Sequence, residues 1–152
     1  MIRRLLRRVF NKQASLPGAP LIIPRQIHGI KKQQISPGAL RTIITLKEKG
    51  FAAFVVGGAV RDMLLGLAPK DFDVATDATP DQVRAAFRRA HIIGRRFRLV
   101  HVMHGNETVE VSTFRGPHSE TQVAQQDAHG RILRDNVFGD QQQDAERRDF
   151  SI

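Results

Sequence analysis

The first regular pattern of hydrophobic positions in the chain predicts a helix, a strand and a second helix. Ser36 and Pro37 form a helix start, an N-cap followed by proline at the first helical position, and apolar side chains then recur on successive turns up to Gly50. The run FAAFVV at 51–56 predicts a buried strand, and AVRDMLLG at 59–66 predicts a helix that ends at its last glycine. This part of the chain therefore predicts helices packed on a sheet.

The pattern continues with a strand from Phe72 to Ala75 and a capping-box helix start at Thr79 and Gln82. Four apolar positions at core spacing extend that predicted helix: Val83, Ala86, Phe87 and Ala90. The segments RLVHVM and TVEVSTF, which flank His104-Gly105-Asn106, predict a hairpin. We expect an α+β domain in which a small mixed sheet carries helices packed on it.

Charge divides the chain into two parts. Residues 1–50 hold eleven Lys or Arg and one acid, whereas residues 51–152 hold thirteen Lys or Arg and fourteen acids. We expect residues 1–35 to be a basic N-terminal extension and linker, extended over 11–35, and residues 36–152 to be the folded domain. The absence of cysteine excludes disulfides and thiolate metal sites, and no apolar run approaches the roughly 20 residues of a membrane span. A cytoplasmic protein is expected.

The N-terminal segment MIRRLLRRVF predicts a short basic amphipathic helix over residues 1–10. Three interpretations of that helix stay open. It is suited to an anionic membrane surface, peripheral to the inner membrane, or to RNA; it is equally explained as a solvated terminus; and an Arg-rich organelle transit peptide has the same composition.

Two carboxylates stand out in the segment APKDFDVAT. Successive residues of a strand point to opposite faces, so Asp71 and Asp73 share one face. Glu110 in TVEVSTF points away from the valines on either side of it, and three carboxylates converge if the two strands are neighbours. Such a group suits Mg²⁺, a hard ion that takes oxygen ligands and completes its shell with substrate phosphates, and two ions would match phosphoryl or nucleotidyl transfer.

The Gly57-Gly58 pair lies where a predicted strand meets a predicted helix. Glycines let backbone amides approach a ligand and a helix N-terminus favours an anion, although an ordinary tight turn explains the pair as well. The segment is not a Walker loop, because no Gly-Lys-Ser/Thr follows. The informative feature is the combination of a strand, Gly-Gly, Arg61-Asp62 and a second strand that bears both aspartates.

That combination, VVGGAVRDMLLGLAPKDFDVAT, resembles the head domain of the class II nucleotidyltransferases, which comprise bacterial poly(A) polymerases and tRNA CCA-adding enzymes. The resemblance implies a DNA polymerase beta-like nucleotidyltransferase fold and covers the chain from about Ile35 onward. It implies the following roles: Asp71, Asp73 and Glu110 as catalytic metal ligands, Gly57 and Gly58 at the triphosphate, Arg61 with Asp62 as a buttress, and Arg115 as a nucleotide-site arginine.

The segment RRDFSI resembles the start of the family motif whose residues contact the nucleotide and its ribose, which here are Arg147, Arg148 and Asp149. The segment IIGRRFRLVHV resembles the polymerase branch more than the CCA-adding branch. It lies in a window from Gln82 to Asn106 that contains no acid and six arginines, whose positive field could hold triphosphate or RNA. A merely solvated basic face is the competing interpretation.

The resemblance implies an enzyme that transfers AMP from ATP to RNA 3′ ends with two Mg²⁺ ions. A tRNA CCA-adding transferase is the enzymatic alternative, and an inactive RNA-binding fragment is the other. No stable protein partner is expected. Family members continue past this motif with Asn-Ala-Leu and helical neck and body regions, so we expect the head domain to be incomplete at its C-terminus.

Overall fold

A computed structural model of the protein describes residues 20–116 and 137–148, together with the backbone of two short strands between them. The basic helix predicted for residues 1–10 and Asp149, which the resemblance also implies to be catalytic, lie outside the described residues. Within the described part, every helix is too short or too polar to cross a membrane.

Helices and strands alternate in the first part of the described chain, and five strands then follow one another before the last helix. The helices are α1 (Arg25–His28), α2 (Pro37–Glu48), α3 (Gly58–Leu64), α4 (Pro80–Ala86) and α5 (Gln141–Glu146), with a 3₁₀ turn at Lys32–Gln34. The strands are β1 (Ala53–Val56), β2 (Asp73–Thr76), β3 (Ala90–Ile93), β4 (Leu99–His104), β5 (Glu107–Thr113), β6 (Gln125–Gln126) and β7 (Ile132–Arg134).

Five of the strands form one mixed sheet in the order β1-β2-β5-β4-β3. β2 and β5 run parallel at its centre, while the other neighbours are antiparallel. The central parallel pair matters most for the site, because it places Asp73 opposite Glu110. The predicted α+β architecture with a mixed sheet is confirmed.

One face of the sheet forms the core, and alternation along the strands decides which side chains enter it. Val109 and Val111 are fully buried, whereas Glu110 and Ser112 between and after them are partly exposed. The helix α2 covers this face, and Leu46 on it is fully buried. Its predicted N-cap is confirmed, since Ser36 Oγ accepts a hydrogen bond from Ala39 N–H.

Two predictions of local structure were wrong. The capping-box helix begins at Pro80 as predicted but ends at Ala86, and Ala90 begins the strand β3, where it pairs with Val102. Ala90 is buried by the sheet rather than by a helix face, so helical spacing and strand burial gave the same pattern. The strand of the aspartates also starts one residue late, at Asp73, which leaves Asp71 just outside the ladder.

The linker prediction fails over its second half. Residues from Arg25 onward form α1 and the 3₁₀ turn instead of an extended segment. Ile30 and Ile35 are partly buried against the hydrophobic core, and this apolar contact explains why the segment folds back onto the domain. The division of the chain at residue 36 stays a prediction.

Candidate active site

Two carboxylates meet at the centre of the sheet. Asp73 opens β2 and is aligned with Glu110 in the parallel neighbour β5. Both side chains lie on the face opposite the core, because Val74 and the valines flanking Glu110 fill the other face. The next strand adds His101, whose Nε2 lies 3.4 Å from Glu110 Oε2. The strand adjacency on which the carboxylate prediction depended is confirmed.

The surroundings of Asp73 raise the pKa of its carboxyl group. Partial burial raises the pKa of the Asp73 carboxyl, and the negative charges of Glu110 and Asp71 raise it further. The positive charge of Arg148 acts in the opposite direction. The three carboxylates are therefore close enough to repel one another, and a bound cation would relieve that repulsion.

The donors present are compatible with Mg²⁺, although not as one complete cage. Asp73 and Glu110 supply oxygen ligands only, and Mg²⁺ is commonly held by one or two carboxylates with substrate phosphates and water. Among the described residues, no group of three or more His, Asp or Glu is arranged to hold a metal ion. The sheet register aligns Asp73 with Glu110, and the charge of Asp71, just before the strand, acts on Asp73; the set of three ligands stays a prediction.

A glycine turn approaches the carboxylates from β1. Gly57 follows the strand with φ 70° and ψ −138°, a conformation that residues with a Cβ rarely adopt, and it is the N-cap of α3. A Cβ built on Gly57 would lie 3.8 Å from Asp73 Oδ2, so the turn and the carboxylate are neighbours. A turn of this kind at a helix start, beside the carboxylate, is suited to a phosphate group.

The predicted buttress forms within α3. Arg61 donates from Nε to Asp62 Oδ1 over 2.9 Å, and its Nη2 lies 2.8 Å from the same oxygen. A Cβ on Gly58 would lie 3.5 Å from Arg61 Nη2, which places this guanidinium against the Gly57-Gly58 turn. The ion pair with Asp62 therefore holds a guanidinium whose other contact is with the turn.

The end of β5 is joined to the segment that leads into α5. Gly116 N–H donates to Val137 O and Gly139 N–H donates to Phe114 O, each over 2.9 Å. A Cβ on Gly139 would lie 2.5 Å from Gly116 Cα, so this close approach of two backbones requires glycine. The pairing brings α5, and the arginines that follow it, back beside the sheet.

Arg115, Arg147 and Arg148 come together there. Asp144 in α5 accepts a hydrogen bond from the backbone N–H of Arg115 over 3.0 Å. Its two oxygens also accept from the guanidinium groups of Arg147 and Arg148. Arg148 Nη2 lies 3.5 Å from Ser112 Oγ, two residues beyond Glu110 in β5. Asp144 thus contacts three predicted nucleotide-site arginines, and one of them, Arg148, lies beside the strand that carries Glu110.

Comparison with known protein families shows to which family the chain belongs. A family model for the poly A polymerase head domain matches residues 53–152. The chain belongs to the poly(A) polymerase head-domain family. The match contains both central strands, the glycine turn and the arginine segment described above.

Curated relatives of this head domain come from both branches of the family. Poly(A) polymerase I of Salmonella typhimurium is 53% identical over 135 residues, which are 86% of this chain and 29% of that enzyme. A CCA-adding enzyme of Bacillus pumilus is 47% identical over 77 residues, 51% of this chain and 19% of that enzyme. The chain thus spans less than a third of the length of these relatives.

A solved structure supports the head-domain fold. The crystal structure of the Bacillus stearothermophilus CCA-adding enzyme in complex with CTP is 35% identical to this chain, with a TM-score of 0.56. The match covers 76% of this chain and 26% of the solved one. The nucleotidyltransferase head fold expected from the sequence is therefore confirmed.

Sequence reasoning missed three side chains of the poly(A) polymerase head. Asp144 could have been found from its spacing, since it precedes the two arginines by three and four residues, within one helical turn. Phe97 lies under the Arg115 guanidinium, 4.3 Å from ring centroid to Cζ, and His101 lies beside Glu110. Neither contact has a local sequence signal, because both depend on how distant segments pack.

The basic window predicted from the sequence forms an exposed surface on and between α4, β3 and β4. Five of its arginines are exposed: Arg84, Arg88, Arg89, Arg95 and Arg96. The sixth, Arg98, forms a two-bond ion pair with Asp81 at 3.2 and 3.3 Å. Most of the positive charge in this window therefore faces solvent, where a polyanion can reach it.

Proposed function

We propose that the protein is a template-independent adenylyltransferase that adds AMP from ATP to RNA 3′ ends. The observation that carries nucleotidyl transfer is the Asp73–Glu110 pair, which lies between a glycine turn and an arginine cluster. In nucleotidyl transfer, carboxylates hold the metal ions that act on the reacting oxygens, and arginines bind the phosphate groups. The repulsion that Glu110 and Asp71 exert on Asp73 supports the same role, because a cation at the reacting centre would relieve it.

The acidic and the basic residues of the site would have different roles. Asp73 and Glu110 would hold Mg²⁺, with Asp71 beside them. When bound, Mg²⁺ would lower the pKa of the attacking 3′ hydroxyl and neutralise charge on the leaving pyrophosphate. Arg147 and Arg148 would orient the triphosphate through charge-assisted hydrogen bonds.

The relatives favour adenylate addition over the CCA alternative. The poly(A) polymerase I relative covers 86% of this chain at 53% identity, whereas the CCA-adding relative covers 51% at 47%. The exposed arginines of the basic window support RNA as the acceptor, because phosphate contacts by arginine supply affinity without sequence preference. Unstructured RNA 3′ ends, including those of mRNA in processing and decay, are the proposed acceptors.

Nucleotide choice tests this function. The complete gene product is incubated with each labelled nucleoside triphosphate and either unstructured RNA or tRNA lacking its CCA end. Incorporation of AMP alone, on unstructured RNA, is expected. Incorporation of CMP followed by AMP on the tRNA would instead identify a CCA-adding enzyme.

The inactive-fragment alternative is tested at Asp73. Asp73→Ala is expected to abolish AMP incorporation while RNA binding through the basic surface persists. Incorporation that survives Asp73→Ala would show that this site is idle or misassigned. Cytoplasmic localisation and membrane contact through residues 1–10 stay predictions.

A further inference from the structure

Asp144 in α5 forms several polar contacts, and it is almost completely buried. Only 3% of its side chain is exposed. Oδ1 accepts from the Arg115 backbone N–H at 3.0 Å and from Arg147 Nη2 at 2.6 Å, and Oδ2 accepts from Arg148 Nε at 2.9 Å. One carboxylate thus contacts three residues that the family resemblance assigns to nucleotide binding.

These contacts fix the orientation of the Arg147 and Arg148 guanidinium groups as well as their distance from Asp144. Arg147 also donates to Oδ1 from Nε over 3.0 Å, and Arg148 Nη2 lies 2.8 Å from Oδ2, so each guanidinium approaches the carboxylate with two nitrogens. A planar guanidinium held by two nitrogens cannot rotate freely. Asp144 therefore restricts both arginines to one orientation.

That orientation faces the carboxylate pair. Arg148 Nη2 lies 3.5 Å from Ser112 Oγ, on the strand that carries Glu110, and the Arg148 charge is felt at Asp73. The Arg115 guanidinium packs over the Phe97 ring at 4.3 Å, which supports it from the β3–β4 turn. The Arg147 and Arg148 guanidinium groups around the Asp144 carboxylate leave one net positive charge, and Arg148 brings it beside the strand of Glu110.

We propose that Asp144 is a positioning residue that holds Arg115, Arg147 and Arg148 as one preformed cluster for the triphosphate of the incoming nucleotide. This inference rests on the proposed function, since that function supplies the triphosphate. Arginines fixed before binding lose less side-chain freedom when the ligand arrives, so preorganisation raises affinity without a new contact to the ligand. Asp144 acts through the arginines and does not itself contact the nucleotide.

A purely structural role for Asp144 makes a different prediction. Its bond to the Arg115 backbone also joins α5 to the end of β5, so a substitution could loosen the fold in general. A general defect would weaken ATP binding by the same factor whether or not the arginines are present. Positioning through Arg147 and Arg148 requires the effect to disappear when those side chains are removed.

The test is a double-mutant cycle on the complete gene product, with the dissociation constant of ATP measured by calorimetry. Asp144→Asn is expected to weaken ATP binding about tenfold in the wild-type background. In the Arg147→Met/Arg148→Met background, the same change is expected to alter affinity by less than about twofold. Glu146→Gln, an exposed acid in the same helix, is the control and is expected to leave affinity unchanged.

Asp144→Glu retains the charge and guards against a misfolded Asn variant. It is expected to keep ATP affinity within about threefold of wild type, because it retains the negative charge that binds both guanidinium groups. Equal losses for Asp144→Asn in both backgrounds, or a loss for Asp144→Glu as large as that for Asp144→Asn, would overturn the inference. The proposed function fails separately, if AMP incorporation survives Asp73→Ala, since the binding cycle does not depend on turnover.

Discussion

Substitution by alanine is expected to have opposite effects on stability at the adjacent glycines Gly57 and Gly58. Gly57 has φ 70° and ψ −138°, and a Cβ there would meet only Asp73 Oδ2, at an ordinary contact distance of 3.8 Å. The cost of Gly57→Ala is therefore backbone strain of about 1–3 kcal/mol. A less flexible unfolded chain offsets about 0.4–1 kcal/mol of that cost, and mid-range values of the two terms leave a net loss of about 1–2 kcal/mol.

Gly58 is the first residue of α3 and does not have a positive φ. A Cβ there would lie 3.5 Å from Arg61 Nη2, the mobile tip of a long side chain that can adjust. Alanine also favours the helix, so Gly58→Ala is expected to stabilise the protein by about 0.4–1 kcal/mol.

Thermal unfolding followed by circular dichroism measures both variants against wild type. In a protein of this size, 1 kcal/mol shifts the midpoint by about 2–4 °C. Gly57→Ala is expected to lower the midpoint by about 2–8 °C, and Gly58→Ala to raise it by up to about 4 °C. Equal losses for the two variants, or an unchanged midpoint for Gly57→Ala, would refute the assignment of strain to Gly57.

Three further predictions concern pH, capping and surface charge. Burial alone would raise the pKa of Asp144, but hydrogen bonds from Arg115, Arg147 and Arg148 hold that pKa below its usual value. Asp144 therefore stabilises the fold at pH values above its unfolded pKa near 3.8. This stabilisation is lost as the pH falls through the lower pKa of the folded state. Asp144→Asn should remove that part of the dependence of the unfolding free energy on acid pH, as measured by urea titrations. Thr79→Ala removes the Oγ1 that accepts from Gln82 N–H at 3.3 Å and should cost about 1 kcal/mol in the same titrations, an unchanged midpoint being the contrary result. Arg98→Gln breaks an exposed ion pair with Asp81 and should cost less than about 1 kcal/mol, less again at high salt; a larger, salt-independent loss would contradict this.

Local signals in the sequence were sufficient for most elements. The Ser36 N-cap and the Thr79–Gln82 capping box each form the hydrogen bonds that their residue types predict. Alternation in TVEVSTF correctly placed Val109 and Val111 in the core and Glu110 on the opposite face. These features depend on neighbours within a few residues, which is why one sequence reveals them.

The errors arose where distant contacts decide the conformation. Ala90 and Val83 are seven residues apart, a spacing that suits one helix face, yet Ala90 pairs with Val102 in the sheet. Ile30 and Ile35 lie in the predicted linker, but this segment packs on the domain because the core presents an apolar surface to them. Asp144 became visible as a site residue only when the backbone pairing at Gly116 and Gly139 had placed α5 beside β5.

The central claim is that the Asp73–Glu110 pair carries AMP transfer. Its most direct test compares Glu110→Gln with Glu48→Gln, the same change at an exposed acid in α2, in the complete gene product with labelled ATP and unstructured RNA. Glu110→Gln is expected to lower AMP incorporation by at least about a hundredfold, because a carboxylate at the reacting centre loses its charge, while Glu48→Gln leaves the rate unchanged. Wild-type incorporation by a folded Glu110→Gln protein would contradict the claim.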